Sequence, residues 1–243
     1  MWKDRDFMVN QHSKTVSKLI SLCLLAVVIF SVCTSAQSLE QKHSESFRSS
    51  IFYARLCNVD LTGDPRTDIM NIAMSQLGYV EGNSKNQYSG LDKGSKNFTE
   101  YGLWYDGTQG TNVYHREAWC AVFVSWCAHQ AGISEDIFYS HAYTPYGLNW
   151  YTDQDLTFTR EEIEAGVYTP QPGDVIYYRS PGVSRKTNHV GLVYKYEDGI
   201  LYAIEGNTNS GDNSTDGGSV CLKSYSITDT FIRYICTPAY DKT

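Results

Sequence analysis

Two cysteines stand seven residues apart in WCAVFVSWCAHQ, residues 119–130, and a histidine opens the later apolar run HVGLVYKY, residues 189–196. With Glu205 and Asn207 in AIEGNT, these are the residue types of nucleophilic acyl transfer: a thiol, a base, and polar groups that hold the base. In the first stretch Trp119, Val122, Phe123, Trp126 and Cys127 recur at i, i+3, i+4, i+7 and i+8, the spacing of a helix with a wide buried stripe. Cys120 and Cys127 then lie on nearly one face but roughly 10 Å apart along the axis. A disulfide needs Cα atoms within about 7 Å, so the pair cannot bridge. The spacing is also neither that of a zinc ribbon nor that of a redox pair. Cys120 falls at the helix start, where unpaired N–H groups and the dipole favour a thiolate. Cys127 falls in the apolar stripe and reads as core.

The thiol needs a base. His43 lies near the N-terminus, and His129 projects from the far side of the same helix. His115 and His141 stay open as surface or site residues, but His189 has partners. The runs 189–196 and 200–207 flank Glu197-Asp198-Gly199, which suits a three-residue loop ending in a left-handed glycine. In that register His189 faces Asn207, with Glu205 its diagonal neighbour on the same face. Val190, Leu192, Tyr194, Ile200, Tyr202 and Ile204 form an apolar opposite face, and Gly191 and Ala203 are small enough to let a helix end approach. A register shifted by one residue would turn His189 away from both partners. His189 is thus the expected base, Glu205 or Asn207 the group that fixes its tautomer, and the Cys120 N–H an oxyanion donor.

The elements around these residues follow from local signals. Residues 1–36 read as an export signal: Lys3, Arg5, Lys14 and Lys18 precede the apolar run 19–32 and a small-residue cleavage site. That run is shorter than the roughly 20 residues of a bilayer span, so no span is expected after cleavage, and Cys23 and Cys33 leave with the signal. Removing it moves the net charge from -7 to about -9, which argues against nucleic acid as a partner. Residues 37–65, polar and Ser-rich, read as an arm or linker, and residues 66–240 as the catalytic domain. A helix is expected over 66–77 and a short one near 160–165, while 79–115 reads as a long irregular segment. Strands are expected at 174–179, 189–196, 200–207, 219–227 and 231–236, separated by turn signals. Helices first and antiparallel strands after give an α+β domain. Asp60, Asp64 and Asp68, or Asp212 and Asp216, lack the spacing of a calcium loop, so no metal site is expected.

WCAVFVSWCAHQAG, QPGDVIYY, NHVGLVYK and AIEGNT, in this order, resemble the successive motifs of the CHAP domain, the cysteine, histidine-dependent amidohydrolase/peptidase family of bacterial cell-wall hydrolases. GYVEGN and NFTEYGLWYDG resemble the preceding segment of its secreted Firmicute members, and the likeness covers about residues 66–240. The resemblance implies a papain-like fold, Cys120 as nucleophile, His189 as base, and Glu205 and Asn207 as the third and fourth polar groups. It implies a groove bordered by Trp119, Tyr101 and Trp104. It also implies cleavage of amide bonds in peptidoglycan, either between muramic acid and the stem peptide or within the peptide and its cross-bridge, with no organic cofactor, by a secreted or wall-associated enzyme of a Gram-positive bacterium.

Two features depart from that picture. The chain has no wall-binding repeat, and five cysteines remain after the signal. A loop at 227–230 would set Cys221 opposite Cys236 on a hairpin, and a cross-strand disulfide is expected there. Two other readings compete: a non-catalytic secreted wall-binding module, and a thiol hydrolase or toxin acting on an amide outside the wall.

Overall fold

Small polar residues start most of the helices. In the computed structural model, which describes residues 43–209 and 217–242, all described residues but His43 belong to one unit, Ser44–Thr243. Ser44 and Ser50 accept N–H bonds at the starts of α1 (Glu45–Arg48) and α2 (Ile51–Cys57), as Asp64 does for α3 (Pro65–Ser75) and Thr99 for α4 (Glu100–Gln109). A 3₁₀ turn, Tyr114–Arg116, leads to α5 (Cys120–Gln130), followed by α6 (Thr144–Thr152), β1 (Thr157–Thr159) and α7 (Arg160–Glu164) with a Thr159–Glu162 capping box. The remaining strands are β2 (Val175–Tyr178), β3 (His189–Glu197), β4 (Ile200–Thr208), β5 (Ser219–Ser226) and β6 (Ile232–Cys236). The export segment 1–36, Asp212 and Asp216 lie outside the described residues. No helix among the described residues is long and apolar enough to cross a membrane.

The domain is α+β, with a six-stranded antiparallel sheet in the order β1-β6-β2-β3-β4-β5. One core packs α2–α5 against Val175, Tyr177, Val190, Leu192 and Ile204 of the sheet. A second cluster, with Ile176, Tyr178, Val193, Leu201, Ala203, Tyr225 and Ile235, fills the other face. Gly206 sets how closely α5 approaches β4: a Cβ there would stand 2.7 Å from Trp119 Cζ3 and 2.8 Å from Phe123 Cβ. The small residues singled out in the sequence act elsewhere. Gly191 makes room for Glu205, and Ala203 lies in the second cluster.

Four expectations are corrected. Residues 44–65 are not an arm, because α1 and α2 bury Phe47, Phe52 and Leu56 in the core. Residues 79–115 contain α4, which ends on left-handed Gly110. The turn after β3 has two residues, since Glu197 pairs with Ile200 and both Asp198 and Gly199 have positive φ, the type I′ geometry. A β-bulge between Val193 and Lys195 then restores the pairing expected farther along, Val193 with Ala203 and Leu192 with Ile204.

The fourth correction concerns the end of the sheet. β5 and β6 are not a hairpin: β5 is an edge strand and β6 sits between β1 and β2. Cys221 pairs opposite Glu205, whereas Cys236 pairs with Thr157 and Val175, so three strands separate the two and both thiols are free. The alternating directions make β5 and β6 parallel, yet only residues 227–231 join them. So short a crossover cannot pass a flat sheet with strands about 4.8 Å apart, and the sheet coils around the second cluster.

Gly206→Ala should therefore overpack the α5–β4 contact and cost about 1–3 kcal/mol, lowering Tm by about 2–4 °C per kcal/mol in a thermal unfolding experiment. An unchanged Tm would show that this contact is loose.

Candidate active site

His189 is the first residue of β3, and its position is fixed by the loop before it. Asn188 N–H donates to Tyr178 O, while the Asn188 side chain accepts from Ser180 N–H at 2.7 Å and donates to Ser180 Oγ at 3.1 Å. On β4, Glu205 points to the same face, in the space left by Gly191, where a Cβ would lie 2.7 Å from Glu205 Cγ. Glu205 Oε2 stands 2.8 Å from His189 Nε2, and Oε1 accepts from Tyr178 Oη–H at 2.7 Å. His189, Glu205 and Tyr178 are all fully buried. With Nε2 held by the carboxylate, Nδ1 is buried and without a hydrogen-bond partner, leaving it as the nitrogen available to the thiol.

Cys120 is the first residue of α5, and its N-cap Trp119 supplies no side-chain acceptor, so the first-turn N–H groups are not capped by a side chain. Burial favours the neutral His189 ring, but the charge on neighbouring Cys120 and the bond to Glu205 outweigh it and raise the ring's pKa above the usual histidine range. The arrangement places the imidazole beside the thiol and the uncapped first-turn N–H groups. Cys127, fully buried, has its thiol pushed up by burial, which matches its reading as core. Asn207 lies at the β4–β5 irregularity with positive φ, nearly buried, its Oδ1 without a partner. The structure brings Cys120, His189 and Glu205 together, whereas for Asn207 it provides a buried amide at the strand end and no bond to the ring.

The cleft beside Cys120, about 430 Å³, has other walls than expected. Trp119 and Tyr101 are fully buried and stack on each other in the core, and Trp104 packs on Tyr105 and His129. The cleft is lined instead by Tyr105, Tyr114, Tyr139, His141, Tyr143 and Tyr146, with Glu117 and Arg185 as its charged groups. His141 is a wall and not a base. Its Nδ1–H donates to Tyr139 O at 2.9 Å, Tyr177 Oη is 3.2 Å from Nε2, and burial lowers its pKa to about 4.

Two buried carboxylates that the sequence did not single out hold the segments that lead to Cys120. Glu81 Oε2 accepts from Trp119 Nε1–H at 2.9 Å and so anchors the residue before Cys120. Asp106 accepts from Thr111 Oγ1, from the N–H groups of Val113, Tyr114 and His115, and from His115 Nδ1 at 2.6 Å. Burial opposes its charge, but these donors prevail and lower its pKa to about 2. Gly102 completes the fit, since a Cβ there would stand 2.3 Å from Tyr114 O.

A helix-start thiol near a strand imidazole that a buried carboxylate holds has the parts from which a nucleophilic cysteine is built. In the family comparison, residues 110–207 match the CHAP domain model. The matched span includes Cys120, His189, Glu205 and Asn207. No curated protein matches. Among solved structures, the crystal structure of Ly7917 is similar with 13% identity over 71% of this chain and 62% of that chain, so the likeness spans less than two thirds of it, with a TM-score of 0.31.

Glu205→Gln removes the negative partner of His189 and should lower kcat/KM by about 10²–10⁴-fold. A raised pKa keeps the ring protonated until pH climbs through it, so lowering it shifts the alkaline limb of the pH–rate profile to lower pH. An unshifted limb would remove Glu205 from this role. Asp106→Ala should cost on the order of 3 kcal/mol at neutral pH, because several buried donors lose their acceptor. Since the folded pKa of about 2 lies below the ordinary 3.8, Asp106 stabilises above about pH 4 and this contribution is lost as pH falls toward 2. Urea titrations of wild type and variant should therefore converge at the acid end.

Proposed function

We propose that this protein is a secreted peptidoglycan hydrolase that cleaves an amide bond of the bacterial cell wall through a thioester on Cys120. The observation that carries the proposal is the buried His189–Glu205 pair, which leaves Nδ1 for the thiol at an uncapped helix start facing a cleft. The CHAP domain supports an amidohydrolase or peptidase of this kind, and the basic, then apolar, N-terminal segment supports export to the wall.

The thiolate attacks the scissile carbonyl carbon, and the carbonyl π pair moves to oxygen, where the first-turn N–H groups of α5 receive it. Collapse of the tetrahedral species breaks the C–N bond as imidazolium His189 gives its Nδ1 proton to the departing amine. His189, now neutral, takes a proton from water as that water attacks the thioester, and the thiolate leaves with the acid product formed. Glu205 keeps the ring oriented and stabilises its charge throughout. The scissile bond is either the muramoyl–alanine amide or one within the stem peptide and cross-bridge.

Purified peptidoglycan digested with wild type should release fragments with new amine and carboxyl ends, identified by mass, while Cys120→Ala should lose about 10⁴-fold or more of the rate. Equal release by both proteins would sink the mechanism. Labelling of Cys120 by iodoacetamide without wall fragments would point to another amide.

A further inference from the structure

The chain carries a net charge of -7, yet residues 179–188, RSPGVSRKTN, hold Arg179, Arg185 and Lys186 and no acidic residue. This segment runs directly into His189, and its base is closed by the bonds between Asn188, Ser180 and Tyr178. Its cations are therefore delivered to the site by the same backbone that sets the base. Lys186 is engaged, its Nζ donating to Asn149 Oδ1 at 3.2 Å. Arg185 lines the cleft with Cys120, and its guanidinium lies over the Tyr143 ring, 5.8 Å from the centroid. Arg66 and Arg160 are matched by Asp174, Glu161 and Glu164, whereas no carboxylate pairs with Arg185 among the described residues.

A cation–π contact at this distance restrains the guanidinium without using its N–H groups, which stay open to a ligand. The geometry they fit is a carboxylate held by two parallel hydrogen bonds. The rest of the lining is aromatic or small and uncharged, with Ala118, Ala142, Thr144 and Asn188 among the tyrosines, apart from Glu117, which lies three residues before Cys120 and would repel an anion at its own end. A volume of about 430 Å³ is at the small end for a binding site, so a group that touches Arg185 belongs to a residue close to the bond that Cys120 attacks.

We propose that Arg185 is a specificity-determining residue: it binds a free carboxylate on the residue next to the scissile amide, so that the enzyme selects acidic stem peptides over the same peptides carrying a carboxamide. The proposal rests on the reading of the cleft as the substrate site of a Cys120 hydrolase.

Two stem-peptide substrates of one sequence, differing only in carboxylate or carboxamide beside the scissile bond, test it with wild type, Arg185→Gln and Arg185→Lys. Wild type should cleave the acid with about 10-fold or higher kcat/KM, mainly through KM, as expected of a charge-assisted pair. Arg185→Gln should cleave both at equal kcat/KM, and Arg185→Lys should keep part of the preference, because it keeps the charge but not the planar fork. Wild type that does not discriminate, or Arg185→Gln that still does, overturns the proposal. Calorimetric binding of the two peptides to Cys120→Ala separates the two readings. If wild type cleaves neither peptide while Cys120→Ala binds the acid more tightly and loses that preference with Arg185→Gln added, the hydrolase reading fails and the carboxylate site stands. Equal binding of both peptides removes the carboxylate site.

Discussion

The site depends on a carboxylate that water does not reach. Glu205 is fully buried, and a buried carboxylate is tolerated only where donors surround it. His189 supplies one bond and Tyr178 another. Tyr225 stands close enough for Glu205 to add to the rise that burial causes in its pKa. These contacts come from β2, β3 and β5, so strand order and coil must be right before His189 and Glu205 can meet Cys120. The coiled sheet carries Phe231, just before β6, onto Tyr178 and Tyr225, with ring centroids at 5.9 and 5.1 Å, sealing the carboxylate from the far side. Gly191 is the counterpart in sequence, since any larger residue there would displace the acid.

Cys120 is placed by a separate set of constraints. Trp119 is held through Glu81 and a stack of core aromatics, Gly206 lets Trp119 and Phe123 settle against β4, and Ser125 of α5 bonds both the N–H and the carbonyl of His141. Asp106 ties the loop before Cys120 to α4 through five donors. Helix and sheet therefore bring thiol and imidazole from independent supports, and the cleft walls are built from the loops between them. This division explains why the cleft residues are tyrosines of loops and helix ends, while the aromatic residues nearest Cys120 in sequence are core.

Much of this was legible in the residues. Pro172-Gly173, Asp198-Gly199 and Gly217-Gly218 mark the strand ends, alternation sets His189 and Glu205 on one face, and helical spacing sets Cys120 at a helix start. α4 was hidden because YGLWYDG has no 3.6-residue apolar period, although Thr99 and Gly110 bracket it as cap and stop. α1 and α2 are too short to show a period at all. The Glu81–Trp119 bond joins residues 38 positions apart, beyond any local signal. A Cys221–Cys236 bridge requires consecutive strands to pair, and the crossover into the middle of the sheet breaks that rule.

The bulge near Tyr194 has a consequence for how this hairpin tolerates change. The tip follows one register and the site end another, and the extra residue between them takes up the difference. Geometry at Asp198-Gly199 is thereby insulated from His189 and Glu205, much as a slip joint isolates one end of a shaft from the other. Variation in turn chemistry at the tip, or a probe grafted there, leaves the active face of the hairpin undisturbed, whereas a single inserted residue between Val193 and His189 would rotate the base out of reach of its acid.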